Sequence, residues 1–419
     1  MAYFTALRQY THKRLEEINS ADIIIGIPCY NNEKTIAHVI QMVTHGLDKY
    51  YRNLKNVIFV ADGGSTDDTR EVAKEFQVKP WQEKIVSIYR GPGGKGTALR
   101  SVFEAAEKLD VKACVVVDAD LRSITSEWVR SLISPILDHN FDFIAPVYLR
   151  HKYDATITNN IVYFITRALY GKRIRQPIGG DFALSRRMAK FYTEQDVWET
   201  DVARYGIDIW MTTLAITQGF KIGQAYLGLK IHDVKDPAAQ LGPMFRQVTW
   251  VLFSLMEQFE NYWINVRGSE EVPVFGQGTP EEPAPLSVDL NEIIDRFKTG
   301  YAHFGPLWKE IFSPGVFAAI RKAVHLEPAG FQLPPRFWAR ILYELASTFH
   351  AWKRNRFKII ELVTPLYYGR TAAFIKETEA MSSLEAEKWI EEVALLFEKE
   401  KKYLIKVWTE KAQSSTLEP

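Results

Sequence analysis

Asp118 and Asp120 stand two residues apart in VVVDADLRS, where an apolar run ends. On an extended strand residues i and i+2 point to the same side, so both carboxylates are expected to face one volume of space. Two unpaired carboxylates that close repel, and one of them titrates upward. A divalent cation removes the conflict. Hard oxygen ligands suit Mg²⁺ or Mn²⁺, which take one or two carboxylates together with nucleotide phosphates. A bare D-x-D is short, and its plain alternative is one aspartate capping the next turn while the other pairs with a basic residue. His232, in LKIHDVKD at the end of another strand-like run, offers a neutral imidazole as a third ligand.

The loop RGPGGKG, Arg90 to Gly96, carries the second constellation. Gly91, Gly93 and Gly96 spell G-x-G-x-x-G between a strand and a helix, a dinucleotide-binding signal that keeps an NAD(P)-dependent oxidoreductase in contention. Against it, the loop follows the third strand rather than the first, and the first strand-to-helix turn, PCYNNE, has no glycine. A Walker A loop is excluded because Gly, not Ser or Thr, follows Lys95. What remains is a permissive loop with one cation, able to bring N–H groups and an ammonium against a phosphate. Otherwise Lys95 is a solvated side chain.

These residues need a frame, and the sequence supplies one from Asp22 onward. DIIIGIP, NVIFVAD, KIVSIYR and ACVVVDADL read as strands. Between them, EKTIAHVIQMVTHGL places Ile36, Val39, Ile40, Val43 and Leu47 on one helical face, STDDTREVAKEF opens with Ser65 and Asp68 at capping-box spacing, and TALRSVFEAAEKL is a third helix. The alternation predicts an α/β fold with a mostly parallel sheet covered on both faces. Ligands of such sheets lie beyond the carboxyl ends of the strands. Those ends carry PCYNNE, ADGGSTDD, RGPGGKG and DADLRS. Turn chemistry explains any one of them. Four in a row, converging on one rim, point to a site.

Beyond the strand-like YLGLKIHDV comes an apolar helical stretch, GPMFRQVTWVLFSLMEQFENYW. The Pro-, Gly- and Glu-rich segment Gly268 to Ser287 reads as a linker or surface strap, and Val288 to about Lys411 is helical throughout. The expected partition is an N-terminal helical extension over 1–20, a catalytic α/β domain over 21–267, the strap over 268–287, and a helical C-terminal subdomain over 288–419 for packing or for a homodimer.

With 52 Lys plus Arg against 51 Asp plus Glu, the chain offers no general electrostatic case for a nucleic-acid or anionic-membrane partner. Cys29 and Cys114 lie far apart with no CxxC spacing, which fits a reducing cytosol. The N-terminal residues lack a signal-peptide core and no apolar run reaches membrane-spanning length, so a cytoplasmic protein is expected.

Taken in order, PCYNNEKTI, ADGGSTDDT, GPGGKGTAL, VDADL, QPIGGD, YGIDIWM and LGLKIHD resemble the landmarks of retaining GT-A-fold glycosyltransferases, above all the glucosyl-3-phosphoglycerate and mannosylglycerate synthases. The resemblance covers roughly Asp22 to Asp236. It implies a Rossmann-like, mostly parallel nucleotide-sugar-binding domain followed by a helical C-terminal subdomain. It implies a nucleotide sugar donor, UDP-glucose favoured over GDP-mannose. The acceptor would be a small hydroxy acid such as glycerate or 3-phosphoglycerate, in the synthesis of a compatible solute, with Mg²⁺ or Mn²⁺ as cofactor.

Residue by residue, the resemblance puts Pro28, Tyr30 and Asn32 at the nucleobase with Gly63 nearby, Asp62 marking the preceding strand end. It brings Lys95 to the base or diphosphate, Asp118 to the ribose, and Asp120 and His232 to the metal. It sets the backbone of Gln176 to Gly180, including Gly179 and Gly180, against the donor sugar, and Asp208 near sugar or acceptor. Two departures stand out. Asp181 replaces the family's Glu, shorter by one methylene. Where the phosphoglycerate enzymes carry Arg and Thr in the acceptor loop, this chain reads ITNNIVYFITR, roughly Asn159, Asn160 and Val162, which favours an unphosphorylated acceptor. The (Q/R)xxRW motif and spanning helices of inverting relatives are missing. No carboxylate stands out as a nucleophile, so attack on the leaving-group face is expected, with Lys95 stabilising the departing diphosphate and Asp208 or Asp181 positioning the reactants. The rival readings are the oxidoreductase above and a non-catalytic nucleotide-sugar-binding protein.

Overall fold

The computed structural model describes residues 4–232, 237–278 and 281–413, so Asp233 of LGLKIHD, part of the strap and both chain ends lie outside the described residues. By compactness the chain divides into two units. The first takes Met1–Leu149, Ile174–Asp236 and Val272–Glu281; the second takes Arg150–Arg173, Pro237–Glu271 and Glu282–Pro419. This corrects the linear partition into 21–267, 268–287 and 288–419. Residues 150–173 and 237–271 group with the helical unit, whereas part of the strap returns to the first unit.

The first unit is built on an eight-stranded sheet. Its strands are β1 (Ile23–Cys29), β2 (Asn56–Asp62), β3 (Gln82–Ile88), β4 (Ala113–Val116), β5 (Phe143–Leu149), β7 (Phe182–Ser185), β8 (Ile222–Leu229) and β10 (Val274–Phe275); β6 (Lys172–Arg173) and β9 (Glu270–Glu271) form a separate ladder in the second unit. The order across the sheet is β10-β8-β5-β7-β4-β1-β2-β3, with β7 alone antiparallel to its neighbours. The expected mostly parallel sheet is present. The strap contributes β10, which pairs along β8 and covers what would be an exposed strand edge.

Helices α1 (Gln9–Ile18), α2 (Ile36–Tyr51), α3 (Thr69–Glu75), α4 (Lys95–Lys108), α5 (Ser126–His139), α7 (Arg186–Thr193) and α8 (Ile207–Thr217) belong to the first unit, and α6 (Tyr163–Tyr170) to the second. Ile36, Val39, Ile40, Val43 and Leu47 of α2 are all fully buried, as their spacing predicts. They pack with Trp128, Val129 and Leu132 of α5 against Ile23, Ile25 and Ile27 of β1. On the opposite face a Cβ at Gly26 would lie 2.5 Å from Val102 of α4. Glycine there lets α4 approach the sheet, which fixes the height of Lys95 at its first turn.

The expected capping box at Ser65 and Asp68 does not form. α3 begins four residues after Ser65, with Asp68 at its N-cap position. Ser65 is drawn away because its N–H and hydroxyl both donate to the buried Asp62 carboxylate. The N-terminal segment braces the other side of the unit. Ala6 accepts from Arg90 N–H at 2.8 Å, just before the glycine loop, and the Glu104 carboxylate of α4 accepts from Ala6 N–H at 3.0 Å.

In the second unit, α9 (Pro237–Gln258), α10 (Glu260–Trp263), α11 (Leu290–Ile311), α12 (Pro314–Val324), α13 (Pro335–Ala351), α14 (Arg356–Thr378) and α15 (Ser383–Gln413) follow, the helical run the sequence predicts. α13 and α6 both pack on α15, and α11 on α14. Among the described residues no helix is long and apolar enough to cross a membrane.

Candidate active site

The functional side chains lie at the carboxyl ends of β1, β2, β4 and β8. β4 itself ends at Val116, and Ala119 and Asp120 form a turn beyond it. The strand-alternation argument for Asp118 and Asp120 sharing a face therefore does not apply. Nor is the Asp118 charge left to a metal: Lys95 donates to its Oδ1 at 2.8 Å and Lys230 to its Oδ2 at 3.2 Å. The turn is anchored from β1, since Thr35 at the start of α2 donates its hydroxyl to Ala119 O at 2.8 Å.

Lys95 is the first residue of α4, with its side chain 15% exposed. Besides Asp118 it reaches Gly180 O at 3.3 Å and Asp208 Oδ2 at 3.4 Å. Burial works against its charge, but Asp118 and Asp208 outweigh that and hold its pKa above the ordinary lysine value. The glycines on either side of it serve packing. A Cβ at Gly96 would lie 1.9 Å from Val202 O, and one at Gly94 2.7 Å from Ala203 O. Gly96, the last glycine of the G-x-G-x-x-G reading, is packed against protein backbone, while a Cβ at Gly93 would meet nothing within 4 Å.

The QPIGGD turn meets the same centre. Gly180 has φ +92°, and a Cβ there would lie 2.1 Å from Asp118 Oδ2; one at Gly179 would lie 2.2 Å from Pro146 Cγ. Only glycine fits either position, so the turn lies flat and aims two carbonyls inward, Gly179 O accepting from Lys230 at 2.8 Å. Asp181 is fully buried beneath this turn. Its Oδ1 accepts from Asp118 N–H at 2.7 Å, and its Oδ2 from Lys230 at 2.9 Å and from the Tyr148 hydroxyl. Those bonds place Asp181 to fix Asp118 and the glycine turn, in keeping with the positioning role expected of it. Burial raises its pKa, opposed by Lys230 and reinforced by Asp118.

Asp208, in the first turn of α8, differs. It is buried, and its Oδ1 has no hydrogen-bond partner among the described residues. Burial raises its pKa, and Lys95 offsets this only in part because Asp118 takes the closer contact. A buried carboxylate oxygen with an unused lone pair, beside a cation, is equipped to accept a hydroxyl from a ligand.

On the nucleobase side, Tyr30 is 60% exposed, and Gly63 sits between it and Tyr89. A Cβ at Gly63 would lie 3.3 Å from the Tyr30 ring and 3.2 Å from the Tyr89 hydroxyl. Asn32 turns its side chain back to accept from Tyr30 N–H at 2.8 Å, shaping the turn after Pro28, which ends the inner part of β1. Asp62 is fully buried and accepts from Gly64 N–H at 2.9 Å and Ser65 N–H at 3.1 Å. At the strand end it was expected to mark, it holds the loop that presents Gly63.

For a metal, Leu121 and His232 pair as an antiparallel bridge, and Arg122 N–H donates to Ile231 O at 2.9 Å, so His232 lies alongside the residue that follows Asp120. Among the described residues no three His, Cys, Asp or Glu side chains gather as a closed metal site. One carboxylate and one imidazole suit a divalent ion whose other ligands come from phosphate and water.

Asn159 and Asn160, expected near the acceptor, are buried in the helical unit. Asn159 donates to Asp154 O at 3.2 Å, and Asn160 donates to Thr156 O at 3.0 Å and accepts from Arg370 at 3.2 Å. Val162 is fully buried too. All three are buried in that unit, where the two asparagine amides are hydrogen-bonded to protein. Conversely, Lys230, Tyr148 and Tyr89 escaped attention in the sequence. The signal for Lys230 was its place in LKIH, at the carboxyl end of a strand and two residues before a candidate ligand.

Residues 24–191 match the family described as Glycosyl transferase family 2. The chain is 27% identical to glucosyl-3-phosphoglycerate synthase of Petrotoga mobilis, over 60% of this chain and 78% of that protein. It is 26% identical to an uncharacterized protein of Methanocaldococcus jannaschii, over 50% of this chain and 82% of the other. Among solved structures, glucosyl-3-phosphoglycerate synthase of Mycobacterium tuberculosis with Mn²⁺, UDP and glucosyl-3-phosphoglycerate is similar at 24% identity and a TM-score of 0.45, over 59% of this chain and 85% of that one.

Proposed function

On the premise that this chain is a nucleotide-sugar glycosyltransferase with a GT-A fold and a family 2 domain, we propose that it moves glucose from a nucleoside diphosphate sugar to a small hydroxy acid, with retention at the anomeric carbon. The observation that carries this reading is the convergence of Lys95, Asp118, Asp208 and the flat Gly179–Gly180 turn on one point beyond the sheet. That the similar Petrotoga mobilis protein is named a glucosyl-3-phosphoglycerate synthase supports glycerate and its phosphate as the first acceptors to try.

Lys95 would receive the negative charge that develops on the leaving diphosphate, the kind of fixed electrostatic contact that contributes most to such reactions. The flat glycine turn would hold the sugar against the centre, and Asp208 Oδ1 would accept a hydroxyl of the sugar or acceptor. With no nucleophilic carboxylate assigned, the acceptor attacks from the leaving-group face and its proton passes to the departing phosphate oxygen. Asp120 and His232 would hold Mg²⁺ or Mn²⁺, which when bound neutralises diphosphate charge. Tyr30 and Gly63 would border the base, and Asp118 the ribose. Cytoplasmic action and a homodimer are part of the proposal.

A matrix of UDP-glucose and GDP-mannose against glycerate, 3-phosphoglycerate and related acids, with the product's anomeric configuration read by NMR, tests donor, acceptor and stereochemistry together. Transfer to no acid, or an inverted product, defeats the reading. Asp120→Ala is expected to lower turnover about a hundredfold or more; undiminished turnover in the folded variant, with and without Mn²⁺, removes the metal assignment.

A further inference from the structure

Asp118 is held by two lysines, one on each carboxylate oxygen, and the two differ in surroundings. Lys95 has a 15% exposed side chain and divides its ammonium among Asp118, Gly180 O and Asp208. Lys230 has a 4% exposed side chain and stands directly after β8. Its ammonium binds Asp118 Oδ2, Asp181 Oδ2 and Gly179 O within 3.2 Å and lies 4.7 Å from the centre of the Tyr148 ring. It thereby ties the ends of β4, β5, β7 and β8 together. Every one of these partners is protein, and three of the four are buried.

We propose that Lys230 is a positioning residue that releases Lys95 for the donor: it stays on Asp118 and the Gly179 carbonyl, so that Asp118 remains compensated when the Lys95 ammonium moves to the diphosphate. The inference rests on the donor reading above. The physical ground is the cost of an unpaired charge in a poorly solvated place. If Lys95 were the only cation on Asp118, donor binding would have to strand that carboxylate, and the attraction that holds Lys95 to it would be subtracted from the affinity for phosphate. With Lys230 sharing the carboxylate, the exchange costs less. Lys230 has no path to the diphosphate without abandoning Asp181, which is fully buried.

The test combines UDP titration by calorimetry, in EDTA and again with Mn²⁺, with steady-state kinetics on UDP-glucose. Lys230→Met should weaken UDP about tenfold or more and raise the donor KM by a similar factor, while the acceptor KM stays put. Lys230→Arg, which keeps the cation, should recover most of the loss. Since Lys230 acts through Lys95, Lys230→Met should add little once Lys95→Met is present, the non-additivity expected of coupled residues. Should Lys230→Met fail to fold, Lys230→Met with Asp181→Asn deletes the buried charge pair as a unit and is expected to fold and to show the same weakened UDP binding. Unchanged UDP affinity in either folded variant, or full additivity with Lys95→Met, overturns the inference while leaving the donor reading intact. A wild-type protein that binds no UDP under either condition overturns both.

Discussion

Two groups of buried charges, one in each unit, are built on opposite plans. In the helical unit Arg370 is fully buried and donates to both Glu377 oxygens at 2.7 and 2.6 Å, to Leu333 O at 3.0 Å and to Asn160 Oδ1 at 3.2 Å. Glu344, equally deep, accepts from Ser313 N–H and Ser313 hydroxyl, each at 2.7 Å, and from the Tyr403 hydroxyl. At the strand ends of the first unit, Lys95 is stretched over three acceptors and Asp208 keeps an oxygen with no partner among the described residues. A completed network lowers the energy of one conformation and does nothing else. An incomplete one keeps unspent hydrogen-bonding capacity at a fixed place, which is what a substrate needs.

The contrast is sharpest if each plan is broken in turn. Arg370→Met leaves the half-buried Glu377 and the buried Asn160 without their cation and should cost about 3 kcal/mol in urea unfolding, with turnover per folded molecule unchanged; a much smaller loss would mean the network is dispensable. Asp208→Asn should lower turnover about a hundredfold, on the order of 2.7 kcal/mol of barrier, yet leave the unfolding midpoint at pH 7 equal or higher. A variant that is both active and less stable would move Asp208 into the structural class.

The same carboxylate sets a pH dependence of known sign. Burial raises its pKa, so between the unfolded value and the raised one the folded state binds a proton that the unfolded chain has released. Its contribution to stability is present at lower pH and lost as pH rises through that window, and Asp208→Asn should remove this share of the slope. Activity that needs the ionised form should show its acid limb above the ordinary carboxylate range. Ser313→Ala, the mildest change, removes one of several donors to Glu344 and is expected to cost about 1–2 kcal/mol with kinetics untouched.

What could be read from the sequence follows the range of the interactions. The apolar face of α2 was legible because helical spacing alone determines it, and all five of its predicted residues are fully buried. Asp118 was singled out on a strand argument that does not hold, since β4 stops before it and lysines answer its charge. For Lys230 the sequence offers only its place at a strand end two residues before His232, because its carboxylate partners lie 49 and 112 residues away. Asn159 and Asn160 misled for the same cause. The resemblance aligned them with an acceptor loop, whereas Arg370, 210 residues on from Asn160, donates to the Asn160 amide oxygen inside the helical unit.

The chain threads between its units more than once, and this has a practical result for anyone dividing the gene. A stop codon after residue 267 would look like a clean domain end, but it would delete β10 from the edge of β8 and leave α6, which packs on α15, facing solvent with its eight buried residues. A fragment beginning at residue 288 would lack α6 and α9 in its turn. Recombination at a single crossover could neither add nor remove the helical unit. The two units must be cloned, permuted or swapped together, with several junctions changed at once.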